Sequence, residues 1–235
     1  MNEMMDVEEL ARYLRRDVRE VGKMISRGHL PGQKVGGEWR FSRSEINQWL
    51  QGQLLSYSDD QLAAFETSPG TAATEEDLLL AEFLAEASAA VPLQATTRSS
   101  VLQELIKLAE MSWHVYDPET LLASIRSREE IGSTSLPGGV AIPHLHRPLP
   151  AALGDTVIAY GRTLSAIPFG GPKGAMTDLF FLVCSREDQT HLRILARLSR
   201  LFLRPGFLDE LREIDNGPES HAFILQAERE LMELE

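Results

Sequence analysis

Three short segments of this 235-residue chain carry residue types that can do chemistry. Residues 126–135 run into a loop with hydroxyl side chains, residues 138–146 present His144 directly after a proline, and residues 190–198 open a helix with His191. A neutral imidazole is a nucleophile near pH 7. The guanidinium of Arg128, in the first segment, stays charged and can grip two oxygens of an anion. These residue types suit nucleophilic chemistry on an anionic group.

The elements around these segments predict an α/β sandwich, a mixed sheet flanked by helices. The run Leu179–Cys184 is apolar throughout, as in a strand covered on both faces. Asp117 followed by Pro118 is typical of a helix start. Further strands are predicted at 91–95, 140–143 and 156–160, and helical segments at 74–90, 99–113, 117–130, 189–203, 206–213 and 220–234.

The three segments read R-E-x-x-G-S-T from Arg128, G-x-A-I-P-H ending at His144, and H-L-x-x-L-x-x-L from His191. In this order they resemble the enzyme IIA domain of the fructose/mannitol class of the bacterial phosphotransferase system, including its nitrogen-related regulatory branch, over roughly residues 75–233. The resemblance implies that His144 accepts a phosphoryl group from the phosphohistidine of an HPr-type carrier protein. It also implies that Arg128 and His191 support the transfer.

Physical chemistry is consistent with these implied roles. Phosphoryl transfer asks the protein mainly to position the group and to stabilise charge on its oxygens. Arg128 suits that stabilisation, and His191 with the hydroxyls of Ser133 and Thr134 could donate hydrogen bonds. No metal and no cofactor is needed. The account requires the imidazole of His144 to be reachable at the tip of a short extended segment.

Departures from the family pattern leave alternatives open. Leu145 stands where glycine is common and could narrow the access of a phosphoryl donor, although Arg147 adds a cation nearby. A binding module that uses the same fold without phosphoryl chemistry is therefore an alternative. A minor alternative is a zinc hydrolase, because His144 and His146 at alternate positions would share one side of an extended chain and could bind zinc with His191.

The first fifty residues predict a small winged helix-turn-helix. Asp6 and Asp17 each precede a helical pattern and have a glutamate three residues later, as in a capping box. Gly36-Gly37 between β-prone runs indicates a tight hairpin. A third helix follows Ser42. In such a fold the second helix can enter the major groove of DNA, and the hairpin can reach the neighbouring backbone.

The segments Arg27–Pro31 and Val35–Phe41 resemble the excisionase and MerR-type DNA-binding domains. The resemblance places DNA contacts on the second helix and on the wing, at Arg16, Arg19, Lys23, Lys34 and Arg40. Glu20 beside the helix cations weakens their field, and the same charges could instead serve contact with a protein. Because about five cations per copy give modest binding at physiological salt, a homodimer is expected to be needed.

Charge is distributed unevenly along the chain, whose net charge is −12. Residues 1–50 hold 9 basic and 8 acidic side chains, whereas residues 51–97 hold 8 acidic and no basic ones. The small, turn-forming residues 67–74 fit a flexible connection. We therefore predict a helix-turn-helix domain at 1–52, an acidic linker at 53–74 in which 58–66 can form a short helix, and a IIA-like domain at 75–235.

Other features bear on location and role. The start MNEMMDVEEL is unlike a signal peptide, no apolar run approaches the roughly 20 residues of a membrane span, and the single cysteine, Cys184, suits a reducing compartment. These features predict a cytoplasmic protein without a membrane span. The two resemblances predict a regulator that accepts phosphate from an HPr-type carrier, binds DNA and acts on a further protein. The resemblance favours a phosphohistidine-type component of a phosphotransferase chain, a phosphoryl acceptor or carrier, and leaves open whether the protein is an enzyme.

Overall fold

The chain divides into two compact units, residues 1–57 and residues 58–235. The computed structural model describes residues 4–14, 16–54, 57–66 and 78–233.

The first unit is a small helical domain with a three-stranded antiparallel sheet in the order β1-β3-β2. Its elements are β1 (Met4–Met5), α1 (Val7–Tyr13), α2 (Val18–Ser26), β2 (Gln33–Val35), β3 (Glu38–Ser42) and α3 (Arg43–Leu54). The predicted helix, helix, hairpin, helix order is confirmed. Strand β1 was not predicted, because two residues carry no periodic pattern and owe their conformation to pairing with β3.

Local signals account for most of these elements. Asp6 caps α1 with the reciprocal Glu9 contact of a capping box. Asp17 caps α2 through the backbone N–H of Arg19, and Gly36 and Gly37 adopt the positive φ of a primed turn, at 63° and 90°. The core of this unit contains fully buried side chains from each helix and from β3: Leu10, Val21, Phe41, Ile46 and Leu50.

The second unit is built on a mixed five-stranded sheet in the order β4-β7-β8-β6-β5. Its strands are β4 (Leu84–Ala90), β5 (Ser135–Leu136), β6 (Val140–Ala141), β7 (Val157–Pro168) and β8 (Met176–Cys184). Its helices are α4 (Asp59–Glu66), α5 (Leu79–Phe83), α6 (Arg98–Glu110), α7 (Pro118–Ile131), α8 (Asp188–Leu203), α9 (Phe207–Glu213) and α10 (Gly217–Glu233).

Helices cover both faces of this sheet. Phe180 and Leu182 of β8 belong to one hydrophobic cluster with residues of α6 and α7. Phe181 points to the opposite face, since side chains alternate along a strand, and there it contacts Phe202 of α8. The structure therefore has the predicted α/β architecture, with β8 buried at its centre. None of the described helices has the length and hydrophobicity that crossing a membrane requires.

The prediction of a helical segment at 74–90 is wrong over most of the described part. Only 79–83 is helical, 84–90 forms β4, and the predicted strand at 91–95 does not form. The alanines of β4 favour a helix locally, but the strand pairs in parallel with β7. Small side chains also let α10 approach closely, because any side chain at Gly217 would collide with the carbonyl of Ala89. Residues 74–77 lie outside the described residues.

The predicted linker at 53–74 is divided between the two units. Residues 53–54 end α3 of the first unit, and the short helix predicted for 58–66 forms as α4 of the second unit. This helix packs on α8, where the Glu66 carboxylate accepts from Arg197 at 2.7 Å and from Arg200 at 3.0 Å. Segment 58–66 is thus a packed element of the second unit and not a solvated connection. Residues 55–56 and 67–74 of the predicted linker lie outside the described residues.

Candidate functional site

His144 lies where the chain leaves β6 and runs beside β8. The chain stays extended after Ala141, and His144 forms an isolated parallel bridge with Val183 of β8. The N–H of Val183 donates to the carbonyl of Pro143 at 2.9 Å, which secures this extension. The sequence pattern predicted this delivery of a histidine from a strand through a proline.

Two hydrogen bonds define the protonation of the His144 ring. Nδ1 lies 2.7 Å from the carbonyl oxygen of Ile142. Since a carbonyl oxygen can only accept, Nδ1 carries the proton and donates it. Nε2 is then unprotonated, and its lone pair accepts a hydrogen bond from Nε of Arg128 at 3.0 Å. The nucleophilic atom of this imidazole is therefore Nε2.

Arg128 reaches His144 from the last turn of α7, and its guanidinium is held at two points. Nε contacts His144, and a terminal nitrogen donates to the carbonyl of Gly132 at 3.0 Å. The side chain is half-buried, and burial lowers the pKa of Arg128 from its usual value although the carboxylate of Glu129 opposes this change. The guanidinium remains a cation at neutral pH.

His191 enters the site from the first turn of α8. Its ring centroid lies 5.1 Å from that of His144, and its Nδ1 lies 3.3 Å from the hydroxyl oxygen of Ser185. Nε2 of His191 is buried and has no hydrogen-bond partner among the described residues. The structure thus brings together Arg128, His144 and His191, as the sequence analysis expected.

Burial keeps both imidazoles neutral. The pKa of His144 lies well below 6.5, because burial and then the neighbouring His191 and Arg128 disfavour a second positive charge. Burial, and then the charge of Arg128, lower the pKa of His191 to about 4. An unprotonated Nε2 beside a guanidinium forms a site that can attack an electrophile and hold an anion.

The expectation of a reachable imidazole differs from the structure, because only 4% of His144 is exposed. Nε2 accepts from Nε of Arg128, and the ring of His191 lies beside that of His144. Leu145, expected to narrow the entrance, instead faces inward and is part of the hydrophobic cluster with α6 and α7. Arg147 is exposed.

The hydroxyls predicted to bind phosphate already donate elsewhere. Ser133 donates to the carbonyl of Phe169 at 2.8 Å, and the hydroxyl of Thr134 donates to the Glu129 carboxylate. Neither proton points to an anion at His144. Donation from either hydroxyl to a phosphate would require that residue's present hydrogen bond to break.

The geometry does not form the three-histidine zinc site. His144 is buried whereas His146 is exposed, so the two do not share a side of an extended chain as the alternation suggested. The Nε2 atom of His144 accepts from a cation, Arg128. In the part of the chain that the structure describes, no group of three or more His, Cys, Asp or Glu side chains is arranged to hold a metal ion.

Sequence reasoning missed two polar side chains near this site. Ser185, which follows β8, contacts His191, and Glu129 anchors the loop that follows Arg128. Glu129 stands next to Arg128 in the R-E-x-x-G-S-T motif and could have been noticed there. Ser185 lies in no motif, so only the fold identifies it.

In the first unit, the predicted DNA-contacting cations occupy the expected elements but differ in availability. Arg19 and Lys23 are exposed on α2, whereas Arg16 pairs with Glu20. On the hairpin, Arg40 pairs with Glu38 at 2.8 Å, and the Lys34 ammonium lies 5.4 Å from the Trp39 ring centroid. Glu20 binds Arg16 and does not close the predicted capping box. Val18, beside these cations on α2, is 45% exposed.

Comparison with known proteins identifies both units. Residues 82–227 match the family described as phosphoenolpyruvate-dependent sugar phosphotransferase system, EIIA 2, and residues 4–54 match a helix-turn-helix domain. The "Nitrogen regulatory protein" of Pseudomonas aeruginosa is 22% identical over 151 residues, which cover 63% of this chain and 96% of that protein.

A second relative is much longer than the matching region. The "PTS system fructose-specific EIIABC component" of Bacillus subtilis is 25% identical over 139 residues, 58% of this chain, and the chain spans only 21% of that protein.

Among solved structures, the nitrogen regulatory protein IIA-Ntr from Neisseria meningitidis superposes with a TM-score of 0.53 at 24% identity, covering 62% of this chain and 99% of that one. This likeness shows the same fold for the second unit. Since the family match spans more than half of the residues, the chain belongs to the EIIA 2 family of the phosphoenolpyruvate-dependent sugar phosphotransferase system and carries a helix-turn-helix domain before that unit.

Proposed function

We propose that Nε2 of His144 accepts a phosphoryl group from the phosphohistidine of an HPr-type carrier protein. The observation that carries this proposal is the pair of hydrogen bonds on the ring. The Ile142 carbonyl accepts from Nδ1 and so keeps the proton there. The lone pair of Nε2 accepts a hydrogen bond from the guanidinium of Arg128. A neutral nucleophile and a cation for the incoming oxygens are therefore side by side.

The transfer is an in-line displacement at phosphorus. The Nε2–P bond forms while the N–P bond of the donor breaks, and the donor imidazole leaves with the electron pair. No net proton transfer is needed, because Nδ1 of His144 keeps its proton. Arg128 moves off Nε2 and binds the phosphoryl oxygens, where its charge stabilises the transition state.

His191 supplies a hydrogen bond to the same group. When the Ser185 hydroxyl donates to Nδ1 of His191, Nε2 of that ring carries the proton. This N–H is buried and lacks a partner among the described residues, which is costly unless a ligand satisfies it. An oxygen of the phosphoryl group bound to His144 is the acceptor that this role requires.

The attached helix-turn-helix gives the phosphoryl group a regulatory use. Phosphorylation adds close to two negative charges at the His144 surface, enough to change the docking of a partner protein. The exposed cations of α2 contact DNA, and a homodimer doubles their number. The phosphorylation state of His144, which follows the flux through the phosphotransferase system, thus changes either transcription or the activity of a regulated protein.

The transfer is tested with phosphorylated HPr-type carrier and intact mass spectrometry of the full chain. We expect one phosphoryl group on the wild type and none on His144→Ala. His146→Ala is the matched control, because that histidine is exposed, and it should be phosphorylated like the wild type. A wild type that stays unlabelled under conditions in which the carrier phosphorylates a known acceptor would refute the proposal.

The burial of His144 favours one second candidate, a binding module without phosphoryl chemistry. In that case Arg128 stays on Nε2 and the surface only grips a partner protein. The wild type would then remain unlabelled, and His144→Ala would capture the same partner as the wild type.

A further inference from the structure

Glu129 is a buried carboxylate that the transfer step does not use. Its side chain is 3% exposed and follows Arg128 directly in α7. Oε2 accepts from Arg98 at 2.6 Å and from the backbone N–H of Thr134 at 3.3 Å, while Oε1 accepts from the Thr134 hydroxyl. Burying a charged group is costly without such partners. The hydrogen bonds from Arg98 and Thr134 therefore stabilise the buried carboxylate.

The cluster joins four segments around the phosphoryl site. Arg98 is the first residue of α6, and Glu129 lies in the last turn of α7. Thr134 lies in the turn after α7, and Phe169 follows β7. Arg98 also donates to the backbone carbonyl of Glu129 at 2.6 Å and lies 5.3 Å from the centroid of the Phe169 ring. Ser133 closes the cluster by donating to the carbonyl of Phe169.

The turn 132–134 links this cluster to Arg128. Glu129 holds one end of the turn through both hydrogen bonds of Thr134. The carbonyl of Gly132, at the other end, accepts from the guanidinium of Arg128 at 3.0 Å. A long arginine side chain has many rotamers. A hydrogen-bond acceptor in a fixed position favours the rotamer that reaches it, and because the guanidinium is planar, little side-chain entropy is lost for each hydrogen bond.

We propose that Glu129 is a positioning residue for phosphoryl transfer, which holds the turn 132–134 so that the Gly132 carbonyl aims Arg128 at Nε2 of His144. This inference rests on the proposed function and deepens it. Glu129 touches neither the imidazole nor the incoming phosphate, and acts through Arg128.

Two variants test the cluster, one at the carboxylate acceptor and one at a donor. In Glu129→Gln an NH₂ group replaces one carboxylate oxygen. If the remaining oxygen still accepts from the Thr134 hydroxyl, the NH₂ group faces two other donors, Arg98 and the backbone N–H of Thr134. Thr134→Val removes the hydroxyl contact and keeps the size of the side chain, so it remains informative if Glu129→Gln fails to fold. Glu130→Gln is the matched control, because Glu130 is the exposed neighbour.

The first measurement follows the imidazole nitrogens of His144 by NMR against pH in the full chain, without any phosphoryl donor. Arg128 is one cause of the lowered pKa of His144. A displaced Arg128 should therefore let that pKa rise toward 6.5 in Glu129→Gln and Thr134→Val, but not in Glu130→Gln. Unchanged titration in both variants would overturn the proposal, whether or not the wild type accepts phosphate.

The second measurement is the rate of phosphorylation by phosphorylated HPr-type carrier. We expect Glu129→Gln to lower the maximal rate about 10- to 100-fold, as for small misplacements of a catalytic group, with little change in the carrier concentration at half-maximal rate. The same change in an Arg128→Ala background should have no further effect, because coupled residues are non-additive. An equal loss in both backgrounds would show a general structural role and contradict the proposal.

Discussion

At the scale of single residues, the site keeps two imidazoles uncharged by burying them beside a cation. An exposed histidine takes up a proton near pH 6.5, whereas the pKa of His191 is about 4 and that of His144 is also well below 6.5. Both rings thus remain neutral when the surrounding medium becomes mildly acidic. The nucleophilic form of His144 is maintained at some cost in stability at low pH.

That cost predicts a pH dependence of the free energy of unfolding. Between pH 6.5 and about 4 the unfolded chain binds a proton at His191 that the folded chain does not bind. Stability is therefore full above pH 6.5 and is lost as the pH falls toward 4. For a shift of this size the loss of folding free energy attributable to His191 is at most about 3.5 kcal/mol.

Urea unfolding at pH 7 and at pH 4.5 checks this expectation. His191→Gln cannot take up the proton, so its loss of stability between the two pH values should be smaller than that of the wild type. His114→Gln removes an exposed histidine of the same unit and should behave like the wild type. Identical losses in wild type and His191→Gln would contradict the stated cause.

At the scale of elements, α4 is attached to α8 by a buried ionic cluster. Glu66 and Arg197 are 0% and 1% exposed at the side chain, and Arg197 also binds Glu228 of α10 at 2.6 Å. Burial raises the pKa of Glu66 even though Arg197 and Arg200 oppose this. Residues 58–66 lie before the family match, which begins at residue 82, so this helix is an addition to the matched family region.

Breaking this cluster should loosen α4. Glu66→Gln removes one carboxylate from the buried Arg197 and Arg200, which keep Glu228 and Asp59 as partners. We therefore expect a cost below the about 3–5 kcal/mol of a buried charge that is left without a partner. We expect a lower urea midpoint and faster hydrogen exchange in α4. Asp60→Asn, at an exposed position of the same helix, is the control and should change neither quantity measurably. Slow α4 exchange in Glu66→Gln would contradict the role of the cluster.

At the scale of the whole molecule, the distribution of charge limits how the chain can bind DNA. The net charge of −12 repels a polyanion. Residues 1–50 carry a net charge of +1, whereas residues 51–97 carry −8 and residues 98–235, with 14 basic and 19 acidic side chains, carry −5. Within residues 1–50, Arg19 and Lys23 are exposed and make no ion pair among the described residues. Binding by the first unit should therefore depend strongly on these two side chains.

A polarisation titration of duplex DNA at several salt concentrations checks this dependence. Replacing both Arg19 and Lys23 by alanine should weaken binding and reduce the slope of log K against log salt by about 2, roughly one unit for each phosphate contact. Lys107→Ala with Arg126→Ala changes the net charge equally but lies in the second unit, and should leave the slope unchanged. Equal effects of the two double variants would indicate net charge alone as the cause.

Much of the fold could be predicted because its signals are local. The caps Asp6 and Asp117 bond to backbone groups three residues away, the glycine pair 36–37 needs only its own φ angles, and the apolar run of β8 shows its burial directly. The three site residues could be named in advance because each lies in a short motif that resembles a known family, although their proximity is a product of the fold. The caps, the glycine turn and the apolar run depend on neighbours along the chain, so the order of amino acids specifies them.

Other features depend on residues far apart in the chain, so they form only when the chain folds. The alanine-rich β4 is a strand because it pairs with β7, more than 60 residues later, and α4 is held by arginines 131 and 134 residues away. The position of Arg128 on Nε2 of His144 buries the predicted nucleophile. Pairing, burial and long-range ion pairs are made in three dimensions, and they override local preference wherever the packing energy is larger.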